Sequence, residues 1–312
     1  VSAPPARAAT IVDVARAAGV SRQTVTRALH DMPGINPATR ERVLAAAREL
    51  RYHPSRFGRG LVKPAARTLG LVVGDLANPY YGELASAVLG LAAARGWHVV
   101  MAEAAGAPGL AAGADAVIAF TGTEFPDPAV GAPNLPVVEV DPPRPHPGRA
   151  RVVFERTAAS AQAVEHLLAR GSRRPVVLDV TTPPGGSSRA AAFVAAFRTR
   201  GVEPHLAHRT SAFSHLPAGT DAVVAHNDLD GFRLLRELHE ARRAVPREVR
   251  VVGVDGLAVG DFCTPRLSTL AIDLAEVARA ALDLVLELTE APAGAPPPVR
   301  VVEHVFRARE ST

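Results

Sequence analysis

Thr10-Ile-Val-Asp-Val-Ala-Arg-Ala-Ala-Gly-Val-Ser-Arg-Gln-Thr-Val-Thr-Arg-Ala-Leu29 is the stretch from which the rest of this chain can be read. It spells two short helices around a tight turn. Thr10 is an N-cap, with Asp13 as a weak capping-box partner. Ile11, Val14, Ala15 and Ala18 recur at helical spacing and form one apolar face. Gly19 suits the left-handed residue that ends a helix, and Val20 plugs the corner. Ser21 caps a second helix that buries Val25, Ala28 and Leu29. Its other face carries Arg22, Gln23, Thr24, Thr26 and Arg27 and no acid. Such a face suits the DNA major groove, where arginine grips guanine O6/N7 and glutamine grips adenine N6/N7. The plainer reading is a helical hairpin with a solvated basic face.

Charge distribution separates the two readings. Residues 1–66 hold ten arginines and Lys63 against four acids, a net +7, so the remainder carries −3 of the chain's +4. A basic head on a mildly acidic body points to a polyanion-binding module. After a loop at His30–Ile35, Asn36 caps a third helix with Pro37 at its first position. Val43, Leu44, Ala47 and Leu50 make its expected apolar stripe. The expected head is a helix-turn-helix domain over 1–54, with a disordered arm at 1–9. Residues 51–64 are basic and proline-bounded, and Gly58 and Gly60 each weaken a helix by about 1 kcal/mol relative to alanine. Residues 55–66 are therefore read as a hinge that orders only when something binds it.

The length suggests two or three compact units, and 47% apolar residues suffice for sizeable cores. A lone cysteine, Cys263, excludes an internal disulfide and fits a reducing compartment. Residues 1–9 lack the apolar core of a secretory signal. The longest apolar run, 84–94, is too short to span a bilayer. A soluble, cytoplasmic chain is expected, with no membrane partner.

From Thr68 strands alternate with helices. Strands are expected at 69–73, 97–101, 115–120, 136–140, 175–180, near 206, 221–225, 249–254 and 299–306. Helices are expected at 78–95, 157–169, 189–200, 230–241 and 274–289. This pattern means an α/β body of two doubly wound parallel-sheet lobes behind an all-α helix-turn-helix head. The lobes are expected at about 67–153 plus 270–296, and 154–269 plus 297–309. Two such lobes enclose a cleft beyond the carboxyl ends of their strands. Asn78, Tyr80 and Tyr81, Asp141, Asn227 and Asp228, and Asp255 stand at such ends. Singly, each reads as a turn former or helix cap; their repetition argues for a site.

These blocks resemble the LacI/GalR (lactose-repressor) family of transcriptional regulators. The head block is followed by Thr39-Arg-Glu-Arg-Val43 and Tyr52-His-Pro-Ser-Arg56. The body adds Asn78-Pro-Tyr-Tyr81, Val164-Glu-His-Leu167, Asn227-Asp228 and Val252-Gly-Val-Asp255. The resemblance implies a periplasmic-binding-protein-like body and a repressor that binds double-stranded operator DNA as a homodimer. It implies Arg22, Gln23 and Arg27 as base readers, with Thr10, Ser21, Thr24 and Thr26 on the DNA backbone. It implies Leu61 as a minor-groove wedge on a hinge containing Ser55, Arg56 and Gly58. It further implies a sugar-like effector, hydroxylated as a sugar or nucleoside is, held by Tyr80, Tyr81, Asp141, Phe154, Arg189, Phe213, Asn227 and Asp255. The chain departs from the family at Ala104, where an arginine is usual, and at Glu155-Arg156 and Ile272. At Ala104–Gly113 a covering helix is missing or vestigial.

Other classes fit less well. Gly185-Gly-Ser-Ser is not a nucleophile elbow, no glycine-rich phosphate loop opens a helix, and His205 and His208 read as surface histidines. No enzyme, metal or cofactor is expected, and the proline run 141–147 reads as a stiff loop. A transport-type binding protein would not need the basic head. A regulator without a small-molecule effector stays open.

Replacing Leu61 by Ala should spare folding and weaken operator binding far more than binding to random DNA, measured by fluorescence anisotropy on both duplexes. Equal losses on the two would remove the wedge.

Overall fold

Capping residues place the first helices. The computed structural model describes residues 11–29, 32–50, 67–120, 135–290 and 296–312. Helix α1 spans Ile11–Ala18, α2 Arg22–Leu29 and α3 Pro37–Glu49. Gly19 adopts φ +64° and ends α1, while the Val20 N–H donates to Ala15 O at 3.0 Å. The Ser21 hydroxyl accepts the Thr24 N–H at 3.1 Å, and Asn36 Oδ1 accepts the Ala38 N–H at 2.9 Å. Each cap satisfies a backbone donor that the helix cannot. Val14, Val25 and Val43 are fully buried at the centre of the three helices. Burying each contributes roughly 1.5–3 kcal/mol. The apolar face of α3 differs from the expected one. Ala46 and Ala47 join Val43 in the core, whereas Leu44 and Leu50 are exposed. Thr10, Ser55, Arg56, Gly58 and Leu61 lie outside the described residues.

The chain divides into two compact units, 1–65 and 66–312. In the second, strands β1 (Arg67–Val73), β2 (Trp97–Glu103), β3 (Ala116–Phe120), β4 (Val137–Val140) and β5 (Ala150–Glu155) form one half of a sheet. Strands β6 (Pro175–Asp179), β7 (His205–His208), β8 (Ala222–Val224), β9 (Arg250–Asp255) and β10 (Ser268–Ile272) form the other half, and β11 (Val299–Arg307) joins them. The order is β2-β1-β3-β4-β5-β11-β10-β9-β8-β6-β7. All neighbours are parallel except β10 and β11. Helices α4 (Pro79–Ala94), α5 (Ala107–Ala111) and α9 (Leu274–Glu290) cover the first half. Helices α6 (Thr157–Ala169), α7 (Ser188–Thr199) and α8 (Asp228–Glu240) cover the second. Among the described residues no helix is long and apolar enough to cross a membrane.

Strands β5 and β10 are absent from the sequence reading, and the lobe boundaries drawn there, at 154 and 270, fall inside them. The strand β11 is shared. Val299–Glu303 pair with β5, and His304–Arg307 pair with β10. It joins the two halves of the sheet because its partner changes from β5 to β10 at His304.

The glycine-rich segment after β2 keeps a vestige of a covering helix. A 3-10 turn at Ala104–Gly106 leads into the single turn of α5. Leu110 lies against β1 where Gly70 has no side chain; a Cβ there would sit 2.1 Å from Leu110 Cδ2 and 3.2 Å from Val117 Cγ2. The proline run folds back over Glu139, which is buried in β4. Glu139 accepts the His146 N–H at 3.1 Å and Arg149 Nη1 at 3.1 Å, and the His146 ring also meets its carboxylate.

Replacing Gly70 by Val should expel Leu110 and cost about 1–3 kcal/mol, read from urea unfolding. An unchanged midpoint would mean that α5 does not pack on β1.

Candidate functional site

The first unit presents α2 as a candidate nucleic-acid face. Arg22, Gln23 and Arg27 are exposed along it, while Val25 and Ala28 point inward. Ser21 and Thr24 share a hydroxyl contact of 2.9 Å, and the Thr26 hydroxyl donates to Arg22 O at 3.1 Å. These short side chains fix the turn that aims the long ones.

In the second unit the strand ends bring the candidate ligand residues together. Asn78 caps α4 through the Tyr80 N–H at 3.1 Å. The Tyr80 and Tyr81 rings meet edge to face at 5.3 Å. Phe120 lies beyond Tyr80, then Phe154, then His304, with successive centroids 6.5, 6.5 and 5.6 Å apart. Burial and the negative charge of Asp255 push the Tyr80 phenol well above its ordinary range, so it remains a neutral donor. Arg189, early in α7, pairs with Asp255 at 3.1 Å and donates to His226 O at 3.1 Å. Asn227 is buried and caps α8 through the Asp230 N–H at 2.8 Å. Asp230 in turn binds Arg209 through both oxygens, at 2.7 and 3.0 Å.

Asp141 and Asp255, the two acids expected in the cleft, have φ of +43° and +126°. Such backbones cost of order 1–3 kcal/mol for residues other than glycine and gather at ligand sites. Each is held by a guanidinium. Asp141 binds Arg156 at 2.6 Å and accepts the Phe154 N–H at 3.3 Å.

Two residues stand outside the expected ligand set: Asp228, read only as a strand-end residue, and Arg156, read only as a departure from the family pattern. Asp228 is fully buried and accepts from the Thr269 hydroxyl at 2.6 Å and from the N–H groups of Leu257 and Gly256 at 2.8 and 2.9 Å. Burial, then the charge of Asp255, push its carboxyl upward; burial also raises Asp255, against the pull of Arg189. Arg156 is the other. The departure at Glu155-Arg156 marks its position, and the crossing of the chain from β5 to α6 gives no hint of its direction. Phe213 lies in a 3-10 turn beside α8, its N–H on Glu237 at 2.8 Å and its ring 6.0 Å from the Arg243 guanidinium.

Asp179 fills the loop that leads to Gly185-Gly186. Burial works against its charge, but the hydroxyls of Ser187 and Thr181 and the N–H groups of Gly185 and Ser187 outweigh burial and hold the carboxyl below its usual range. That nest is occupied by the chain's own carboxylate. His304 is buried and His226 is half-buried. Burial first, then Arg189 and Arg209 for His226, and Arg156 and Arg189 for His304, lower each imidazole to about 3. Among the described residues no group of three His, Cys, Asp or Glu side chains is placed to hold a metal.

Comparison with known proteins agrees with this fold. Residues 10–55 match the family described as bacterial regulatory proteins, lacI family, and residues 164–312 match the periplasmic binding protein-like domain. The HTH-type transcriptional repressor CytR of Escherichia coli is 28% identical over 306 residues, 90% of this chain and 89% of that protein. A LacI family transcriptional regulator from an Arthrobacter species, solved by crystallography, is 30% identical with a TM-score of 0.72, covering 80% of this chain and 99% of that one. Its complex with lactose is 29% identical with a TM-score of 0.70, covering 79% and 99%.

The two imidazoles carry a pH signature. An unfolded histidine takes its proton near pH 6.5, whereas these two stay neutral in the fold until about pH 3. Each therefore contributes stability that is present above pH 6.5 and lost as pH falls towards 3, about 1.4 kcal/mol per pH unit. Between pH 6 and 4 the wild type should lose stability faster than His304→Gln by that slope, measured by denaturant unfolding. Parallel curves would mean that His304 is protonated in the fold.

Proposed function

Because the chain belongs to the LacI family of bacterial transcription regulators, we propose that it binds a palindromic operator as a dimer and that a small hydroxylated ligand in the cleft adjusts that binding. The observation that carries the DNA half is the exposed, acid-free face of α2, with Arg22, Gln23 and Arg27 on a helix whose entry is fixed by Ser21. Paired heads read paired half-sites, so the operator mirrors the two-fold axis of the protein. Thr24 and Thr26 flank the reading residues and suit phosphate contacts.

The ligand half rests on Arg189 and Asp255, side by side at the end of β9, with the Tyr80 and Tyr81 rings near them. A guanidinium and a carboxylate offer paired donors and acceptors to vicinal hydroxyls, and aromatic rings cover the apolar face of a sugar ring or a base. The lactose bound by the Arthrobacter relative supports a sugar of this class. Asp141, Phe154, Phe213 and Asn227 complete the wall on this reading.

Selection from random duplexes should enrich a palindrome. Arg27→Ala should lose on the order of 1–3 kcal/mol on that duplex and relax preference at one position in each half-site. Enrichment of no sequence, or an unchanged preference in Arg27→Ala, would count against base reading by α2.

A further inference from the structure

Arg156 stands where a helix least favours a cation. It occupies the N-cap position of α6 and makes no side-chain cap bond. A positive charge there opposes the helix dipole. The capping is done by its neighbour: Glu155 Oε1 accepts the Thr157 N–H at 2.8 Å. Arg156 is nonetheless only 6% exposed. Burying a guanidinium in such a place is costly unless it is paired.

Its partners lie on opposite lobes. Nη2 meets Asp141 Oδ2 at 2.6 Å, on the turn after β4 in the first lobe. Nη1 donates to the Ser188 hydroxyl at 2.8 Å, on the first turn of α7 in the second lobe. The Nε–H is buried and has no acceptor among the described residues. Among the described residues, the bond from the Ala258 N–H to Glu83 Oε1 at 3.0 Å also joins strand-end loops of the two lobes, and it is exposed. A solvated bond of that kind adds little, whereas a buried charge-assisted pair resists separation, because opening it leaves each ion to be rehydrated or stranded.

We propose that Arg156 is a positioning residue of the cleft: its guanidinium ties the first lobe to the second through Asp141 and Ser188 and so sets the separation of the lobes that a ligand meets. A ligand then binds by fitting the separation that the tie sets. The ligand step rests on the reading of the cleft given above; the tie itself does not. Ligand-free protein therefore tests the tie separately, and its failure would leave the DNA-binding reading untouched.

The test uses the full chain with Cys263→Ser and nitroxide labels at Ala93→Cys on α4 and Ala195→Cys on α7, both exposed and on different lobes. Labelled protein is diluted with unlabelled protein so that only distances within one chain are read by pulsed electron spin resonance. The tied protein should give one narrow distance distribution. Arg156→Met and Asp141→Asn should each broaden it and shift it, and Arg156→Lys, which keeps the charge, should lie between. A residue with a merely structural role would lower the melting temperature and leave the distance alone. Should Arg156→Met not fold, Asp141→Asn, which acts from the other lobe and is less buried, carries the test. An unchanged distribution in Asp141→Asn and in every Arg156 variant that folds would overturn the tie.

Discussion

A guanidinium taken out of water needs an anion, and that requirement organises the strand ends of the body. Arg189 has Asp255, Arg156 has Asp141 and Arg209 has Asp230. Each pair joins separate elements, so the charges also fix the relative positions of α6, α7 and α8 at their N-termini. Asp228 has no arginine. It is instead surrounded by a hydroxyl and two N–H groups, and its burial raises the carboxyl. The glycine at position 253 is part of the same solution. A Cβ there would sit 2.1 Å from Asp228 Oδ1, so only glycine leaves room for that carboxylate beside β9.

The same residues link the site to the fold's central joint. Strand β11 changes partner at His304, whose ring packs on Phe154 and whose Nδ1 lies 3.3 Å from Glu155 O. Phe154 and Glu155 end β5 and lead directly to Arg156. Three consecutive residues, Phe154 to Arg156, thus run from the contacts of His304 to the pair with Asp141. A ligand shifts such an arrangement only by binding one lobe separation better than another.

Much of this was legible in the sequence, for identifiable reasons. Ser21, Asn36, Asn78 and Asn227 mark helix starts because capping is a local interaction, and all four accept the expected backbone N–H. The apolar strands of the body stand out because parallel strands are buried on both faces. Strand β10 did not stand out, because its Ser268 and Thr269 are polar yet buried, bonded to Thr312 and Asp228 far along the chain. Leu44 looked like core, although the small Ala46 is what the close packing of three helices accepts. In the cleft, Arg189 and Asp255 follow from motif, whereas the direction of Arg156 depends on Asp141 and Ser188, which no local pattern relates to it.

The central claim is that one chain couples a DNA-reading helix to a ligand cleft built around Arg189 and Asp255. Thermal unfolding of the full chain against a panel of sugars and nucleosides tests it most directly, because a ligand that binds only the folded state must raise stability. The account predicts that at least one member raises the midpoint of the wild type, fails to do so in Arg189→Ala, and changes operator affinity at the same concentration. A panel with no stabilising member, or a stabilisation that Arg189→Ala retains in full, would contradict it.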